Sequence, residues 1–307
     1  QICSPLLWVL QLEDEYIPYK QGFYIAQFFQ QKQIKLKLFW VESFQTIGEL
    51  KAFLHLKEYF ANCVFWPEHT HLNKLALLQN QQILTQSEKK ICFVPQGIGR
   101  QCFEQNYESR IYLTGQIQTR AKNWHDFFNA LVWHTFPRAK SALNQLHYQA
   151  QLFESANKIK HRCALRDAAT LFDESGVIVV SSEKTLIQLL SDFEWKELFW
   201  RQRKGTLSSM QFFVFGHGLY EKALNPYVGM TGKGIIFNVK EAFFTQTLLK
   251  QLHLIDSILE SFLLQVLSSS SDLTPVPLLG YPGWVEDNNS EIYYENKKYF
   301  RDRHKSD

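Results

Sequence analysis

Residues 119–140, TRAKNWHDFFNALVWHTFPRAK, limit the fold more tightly than any other stretch. Asn123 is a good helix N-cap, and Asp126 sits three residues on, where a capping acid belongs. Pro137 ends the run, because the residue before a proline avoids the helical region. The spacing predicts a helix over 124–136. At about 100° per residue, Trp124, Phe127, Phe128, Leu131 and Thr135 share one face, the core face. His125, Asp126, Asn129 and Trp133 fall on the other side. A solvated face rarely carries an indole, an imidazole and an amide together. Both faces of this helix therefore need cover, or the second lines a cleft.

Two readings of the polar face compete. In the functional one, His125 and Asn129, one turn apart, present a base or metal ligand and an amide to a substrate, with Arg120 just outside the helix and Trp133 beside them. In the structural one, Asp126 caps while His125 and Asn129 satisfy buried backbone groups.

The remaining chain reads as alternating short helices and strands. Helical patterning covers 17–33, 47–61 and 72–79, and 35–41 alternates like a strand. Strands are expected at 91–94 and 107–113, the second with Glu108 and Arg110 on one face. A second helix over 140–154 follows the central one. Lys158, Arg162 and Arg166 recur every four residues, which predicts a basic stripe on a third helix. Asp173 and Glu174 then lead through a Gly176 turn into a strand over 177–181. A helix over 185–203, broken near Asp192, ends in a basic run from Arg201 to Lys204. A strand at 211–215 opens through Gly216-His217-Gly218 into a short helix, where His217 and Glu221 stand at i and i+4. The TGKG at 231–234 lacks phosphate-loop spacing and reads as a turn. A long amphipathic helix over 242–267 and an extended, proline-rich 275–284 complete the chain. This pattern is α+β, predominantly helical with a small mixed or antiparallel sheet. A looser region, 1–90, is expected to pack on a core domain at 91–301, with a frayed tail at 302–307.

The runs YESRIYLTGQIQTRAKNWHDFFNALVW, FPRAKSALNQLH, RDAATLFDESG, FVFGHGLYEK and PLLGYPGW, with a later FR, resemble the signature of a bacterial family catalogued as domain of unknown function 3025. The resemblance runs from Cys92 to Arg301 and implies no activity.

Composition narrows the rest. A chain of 307 residues with 15% aromatics buries a sizeable core. A net charge of +3 permits an anionic partner without requiring one. Five cysteines with no CxxC pair fit free thiols in a cytoplasmic protein and argue against a thiolate zinc site. No apolar run approaches the ~20 residues that span a bilayer.

If His125, Asp126, Asp173, His217 and Glu221 converge, they suit one divalent metal, with His125, His217 and Glu221 as ligands. The first reading of function is then a hydrolase-like enzyme acting on an anionic or amide-bearing small molecule. In it His125, Asp126, Asn129, His217 and Glu221 are catalytic, and Arg120, Trp133, Arg166 and Asp173 hold the ligand. The alternative is a non-catalytic binding protein that presents Lys158, Arg162, Arg166 and 201–204 to RNA or another anionic surface. The low net charge and interleaved acids favour a small molecule over nucleic acid.

Overall fold

The computed structural model describes residues 52–53, 55–56, 59, 66–79, 82–97, 102–159 and 161–303. The expected helix over 17–33 and strand over 35–41 lie outside them, as does most of 47–61.

The polar-and-apolar helix forms where its caps place it. Helix α3 (Trp124–Thr135) begins with the Asn123 side chain accepting from the Asp126 N–H at 2.9 Å. Pro137 occupies the first turn of α4 (Pro137–Ala156), where its missing N–H has no consequence. Ahead of them lie α1 (His69–Leu78), β1 (Cys92–Pro95), α2 (Tyr107–Thr114) and β2 (Gln116–Thr119). Strands β1 and β2 pair in parallel as a separate two-stranded sheet. The strand expected over 107–113 is therefore a helix. Ser109 and Ile111 are buried while Glu108 makes polar contacts to α4, so the apparent alternation was a short amphipathic turn.

Helix α5 (Ala164–Ser175) runs into β3 (Gly176–Ser181), and α6 (Lys184–Ser191) follows. A π-helical turn, Glu197–Arg201, separates α6 from α7 (Arg203–Ser209), and Phe193 breaks the run with a φ of 63°. Then come β4 (Met210–Val214), α8 (His217–Ala223), β5 (Thr231–Asn238), α9 (Leu248–Gln265) and β6 (Thr274–Pro277). The larger sheet has the order β4-β3-β5-β6, with β3 antiparallel to β4, parallel to β5, and β5 antiparallel to β6. The fold is thus α+β with a small mixed sheet. The TGKG segment is strand, not turn, because its glycines lie against Val177 and Val276 of the neighbouring strands, where a side chain would not fit. The long C-terminal helix starts six residues later than its pattern suggested, after a 3₁₀ turn at Glu241–Phe243. The basic stripe is also absent. Lys158 adopts a φ of 53° beyond α4, and Arg162 precedes α5, so only Arg166 lies on a helix.

Every residue of β3 is buried, as expected for a strand covered on both faces. Aromatic contacts knit the layers. Phe215, just past β4, stacks on Phe172 of α5 at 4.9 Å and meets Phe136 at 5.6 Å. Phe53 packs on Tyr220 at 4.2 Å and stacks with Phe128 at 6.3 Å, so described residues before 91 share the core of the later chain.

Asp256 of α9 holds the start of α4, accepting from the Arg138 and Ala139 N–H groups at 3.1 and 2.9 Å. Burial pushes its carboxyl up to about 7, against the pull of those two N–H groups. Asp256→Ala is expected to lower stability by about 1–3 kcal/mol, since it leaves buried donors unpaired. The native carboxyl holds a proton between its ordinary 3.8 and about 7 that the unfolded chain has released. Its contribution to stability therefore declines as pH rises through that window. Urea titrations of wild type and variant across pH 4–8 should show this component of the slope only in the wild type.

Candidate functional site

Strand pairing brings the polar groups together. Because β3 and β4 are antiparallel, Val177 lies opposite Val214, so the start of β3 meets the end of β4. The carbonyl of Gly176 accepts from the N–H groups of both Phe215 and Gly216 at 2.9 Å. The last turn of α5, with Asp173 and Glu174, thus abuts the first turn of α8, with His217. The approach is close enough that only glycine fits. A Cβ on Gly216 would lie 2.4 Å from the Gly176 nitrogen, and one on Gly218 would lie 2.7 Å from Glu174 Oε2. Helix α3 packs across α8 and delivers His125.

The result is a triangle of ligand atoms. His125 Nε2 and His217 Nε2 are 2.9 Å apart, and Glu174 Oε1 stands 3.6 Å from the first and 3.5 Å from the second. The circle through three points so separated has a radius of about 2 Å, which matches the ~2.0–2.2 Å bonds of first-row divalent ions to imidazole and carboxylate. Two imidazole nitrogens at 2.9 Å either share one proton-mediated hydrogen bond or direct both lone pairs at one cation. These three are the only group with metal-ligand spacing among the described residues.

Carboxylates back both rings. His125 Nδ1 faces Glu221 Oε2 at 3.3 Å, and His217 Nδ1 faces Asp173 Oδ2 at 3.7 Å, which is ion-pair distance but beyond a hydrogen bond. Asp173 is itself held by Lys140 Nζ at 2.5 Å. Burial acts to raise the Asp173 carboxyl, but the charges of Lys140 and His217 outweigh it and bring it down to about 2. Burial likewise opposes the lowering at Glu174, where His217 and His125 win and hold it below the ordinary glutamate range. Lys140 is almost fully enclosed and lies 5.5 Å from the Trp133 ring centroid.

The triangle opens onto a polar cavity of about 560 Å³. Arg120 and Asp126 line it as a tied pair, with Asp126 accepting from Arg120 Nε, Nη2 and backbone N–H at 2.9, 2.7 and 2.7 Å. Asp126 is therefore occupied with Arg120 and holds no place in the triangle. Asn129 donates to the Tyr107 hydroxyl at 2.7 Å, and burial with nearby acids raises that phenol well above its ordinary value. Arg166 lines the cavity and donates to Glu154 at 2.6 Å.

Besides Asp126, two placements differ from those expected. Glu221 does not ligate beside His217. It faces the far nitrogen of His125, and Glu174 holds the third corner instead. Trp133 does not face the ligand side, for it is 1% exposed and lies in the core beneath Lys140. Lys140 is the site residue that the sequence reading did not single out, whereas Glu174 was noted beside Asp173 as an acid able to bind a metal. Lys140, Asn144 and His147 recur on one face of α4, a spacing that signals a polar, covered stripe.

This is an α+β protein with a histidine–carboxylate centre at the meeting of two helix ends. A family model described as "Protein of unknown function (DUF3025)" matches residues 91–304, and the chain belongs to that family. No curated protein and no solved structure matches it. No helix among the described residues is long and apolar enough to cross a membrane.

Lys140→Met should cost about 3–5 kcal/mol, because it leaves the enclosed Asp173 carboxylate without its cation. Asp173→Asn added to Lys140→Met is expected to recover a measurable part of that loss, giving a coupling energy above 1 kcal/mol in a denaturant double-mutant cycle.

Proposed function

We propose that the chain is a metal-dependent, hydrolase-like enzyme acting on a small molecule in the 560 Å³ cavity. The observation that carries this reading is the triangle of His125, His217 and Glu174 with a carboxylate behind each ring. A neutral imidazole that turns one nitrogen to a metal and the other to a carboxylate is the usual arrangement of a functional metal site. Two imidazoles and one carboxylate, without sulfur, would suit Zn, Mn or Fe, which His125, His217 and Glu174 would hold at the edge of the cavity. The chemistry such an ion supplies is Lewis acidity toward a water or carbonyl oxygen.

The chain's own residues do the positioning. Glu221 holds the His125 ring through Nδ1, and Asp173, fixed by Lys140, lies at ion-pair distance from His217 Nδ1. Glu174 is 44% exposed at its side chain, so it borders both the triangle and the open cavity. Asn129 and the Tyr107 hydroxyl offer a fixed amide and phenol to a bound molecule. The alternative of a basic RNA-binding surface is less well supported. Arg201 is paired with Glu197, and Arg203 with Asn288 and Asn289.

Metal analysis tests the reading. Protein purified without added metal should carry close to one equivalent of zinc by elemental analysis. His125→Ala, His217→Ala and Glu174→Gln should each lower zinc affinity at least about 100-fold, and Asp173→Asn about 10–100-fold. Chelation should lower the melting temperature, and zinc at about 100 times its Kd should restore about 2.7 kcal/mol. A chain that binds no divalent ion, or that binds only Fe(II), would end the hydrolase assignment.

A further inference from the structure

The cavity has a second pole, away from the metal triangle. Helix α4 presents His147 and Gln151, one turn apart, and α5 presents Arg166 and Thr170, also one turn apart. Arg162 stands just before α5 and completes this wall.

Three observations single the wall out. His147 is only 5% exposed and lines the cavity, with Asp173 as a charged neighbour. Arg162 lines the same space and forms no ion pair with the described residues. Arg166 gives only Nη1 to Glu154, so Nε and Nη2 keep their donors. Arg120, by contrast, has its guanidinium engaged at two nitrogens by Asp126. Glu108, the one carboxylate lining the cavity outside the triangle and its adjoining pairs, is bound by Asn144 at 2.7 Å. Asp173 and Glu174 therefore stand at the triangle, while Arg162 and the two unengaged nitrogens of Arg166 line the other wall, Glu154 engaging only Nη1.

We propose that Arg162, Arg166 and His147 form an anion subsite that holds a carboxylate or phosphate group at the end of the substrate remote from the reacting bond. Guanidinium groups recognise both anions through paired N–H donors. The separation follows from the helix. Glu174 lies eight residues beyond Arg166 on α5, about 12 Å along the axis. That is the length of a small elongated metabolite rather than of an oxyanion at the metal itself. The subsite extends the hydrolase reading, because it turns "anionic or amide-bearing" into a substrate with its anion at the far end.

The test uses the full chain with inorganic phosphate and glutarate as probes, titrated calorimetrically at low salt into zinc-loaded and chelator-stripped protein. At least one anion should bind in both states. Arg162→Gln should weaken that binding about tenfold or more. Arg162 is exposed and makes no ion pair with the described residues, so this variant should fold as wild type does. Arg166→Gln should weaken it further, but it also strips Glu154 of its partner, so Arg162→Gln carries the decision. Tighter phosphate assigns a phosphoryl head and tighter glutarate a carboxylate, and either supports the subsite. Binding that disappears with zinc but survives Arg162→Gln would place the anion on the metal and overturn the subsite. Failure of both anions to bind would do the same. Anion binding in a chain that takes up no zinc would sink the hydrolase reading and leave the subsite standing.

Discussion

One backbone contact sets the geometry of the whole centre. The Gly176 carbonyl accepts from two successive N–H groups, Phe215 and Gly216, at the point where β3 begins and β4 ends. That register puts the last turn of α5 against the first turn of α8. Glu174 and His217, 43 positions apart in the chain, then meet at 3.5 Å. Any slip of one residue would turn β3's buried side chains over and carry α8 away from α5. The absence of Cβ atoms at Gly216 and Gly218 permits the approach, and the stacking of Phe215 on Phe172 holds it.

Charge then has to be managed in a crowded, partly dry space. Lys140 pairs with Asp173, which faces His217 in turn, and the Lys140 and His217 side chains are nearly enclosed. A buried ion survives only when paired, and Lys140 and Asp173 supply each other's partner. The same logic ties Arg120 to Asp126 and Arg166 to Glu154. Two features therefore stand out: the Nε2 atoms of two histidines facing each other at one end, and Arg162, without an ion pair among the described residues, at the other. A polar cavity with this polarity suits a ligand that is itself polar and directional.

Legibility in the sequence followed how local each signal was. The central helix was readable because its cap, its two faces and Pro137 all act within one turn of the chain. The strands at 177–181 and 211–215 were readable from their β-branched and aromatic runs. Helix α2 was not, because eight residues with one buried stripe mimic a strand's alternation. The glycines of β5 also misled. Their role is to admit Val177 and Val276 from neighbouring strands, a contact that no local pattern reveals. The spacing of Lys158, Arg162 and Arg166 suggested one helix, although a left-handed residue at Lys158 interrupts it.

From residues alone came the α+β character, the helix with two covered faces, and the histidines and acids worth watching. Those conclusions rest on capping, periodicity and side-chain chemistry, which act over a few neighbouring positions. Which acid joins the two histidines was decided only in three dimensions. Glu221, one turn from His217, lost that place to Glu174, because the strand register brings α5 to His217's Nε2 while Glu221 is carried round to the far side of His125. Trp133 went inward for a similar reason. The covered face of α3 is divided between cavity and core, and which part each residue meets depends on where α4 and α8 pack.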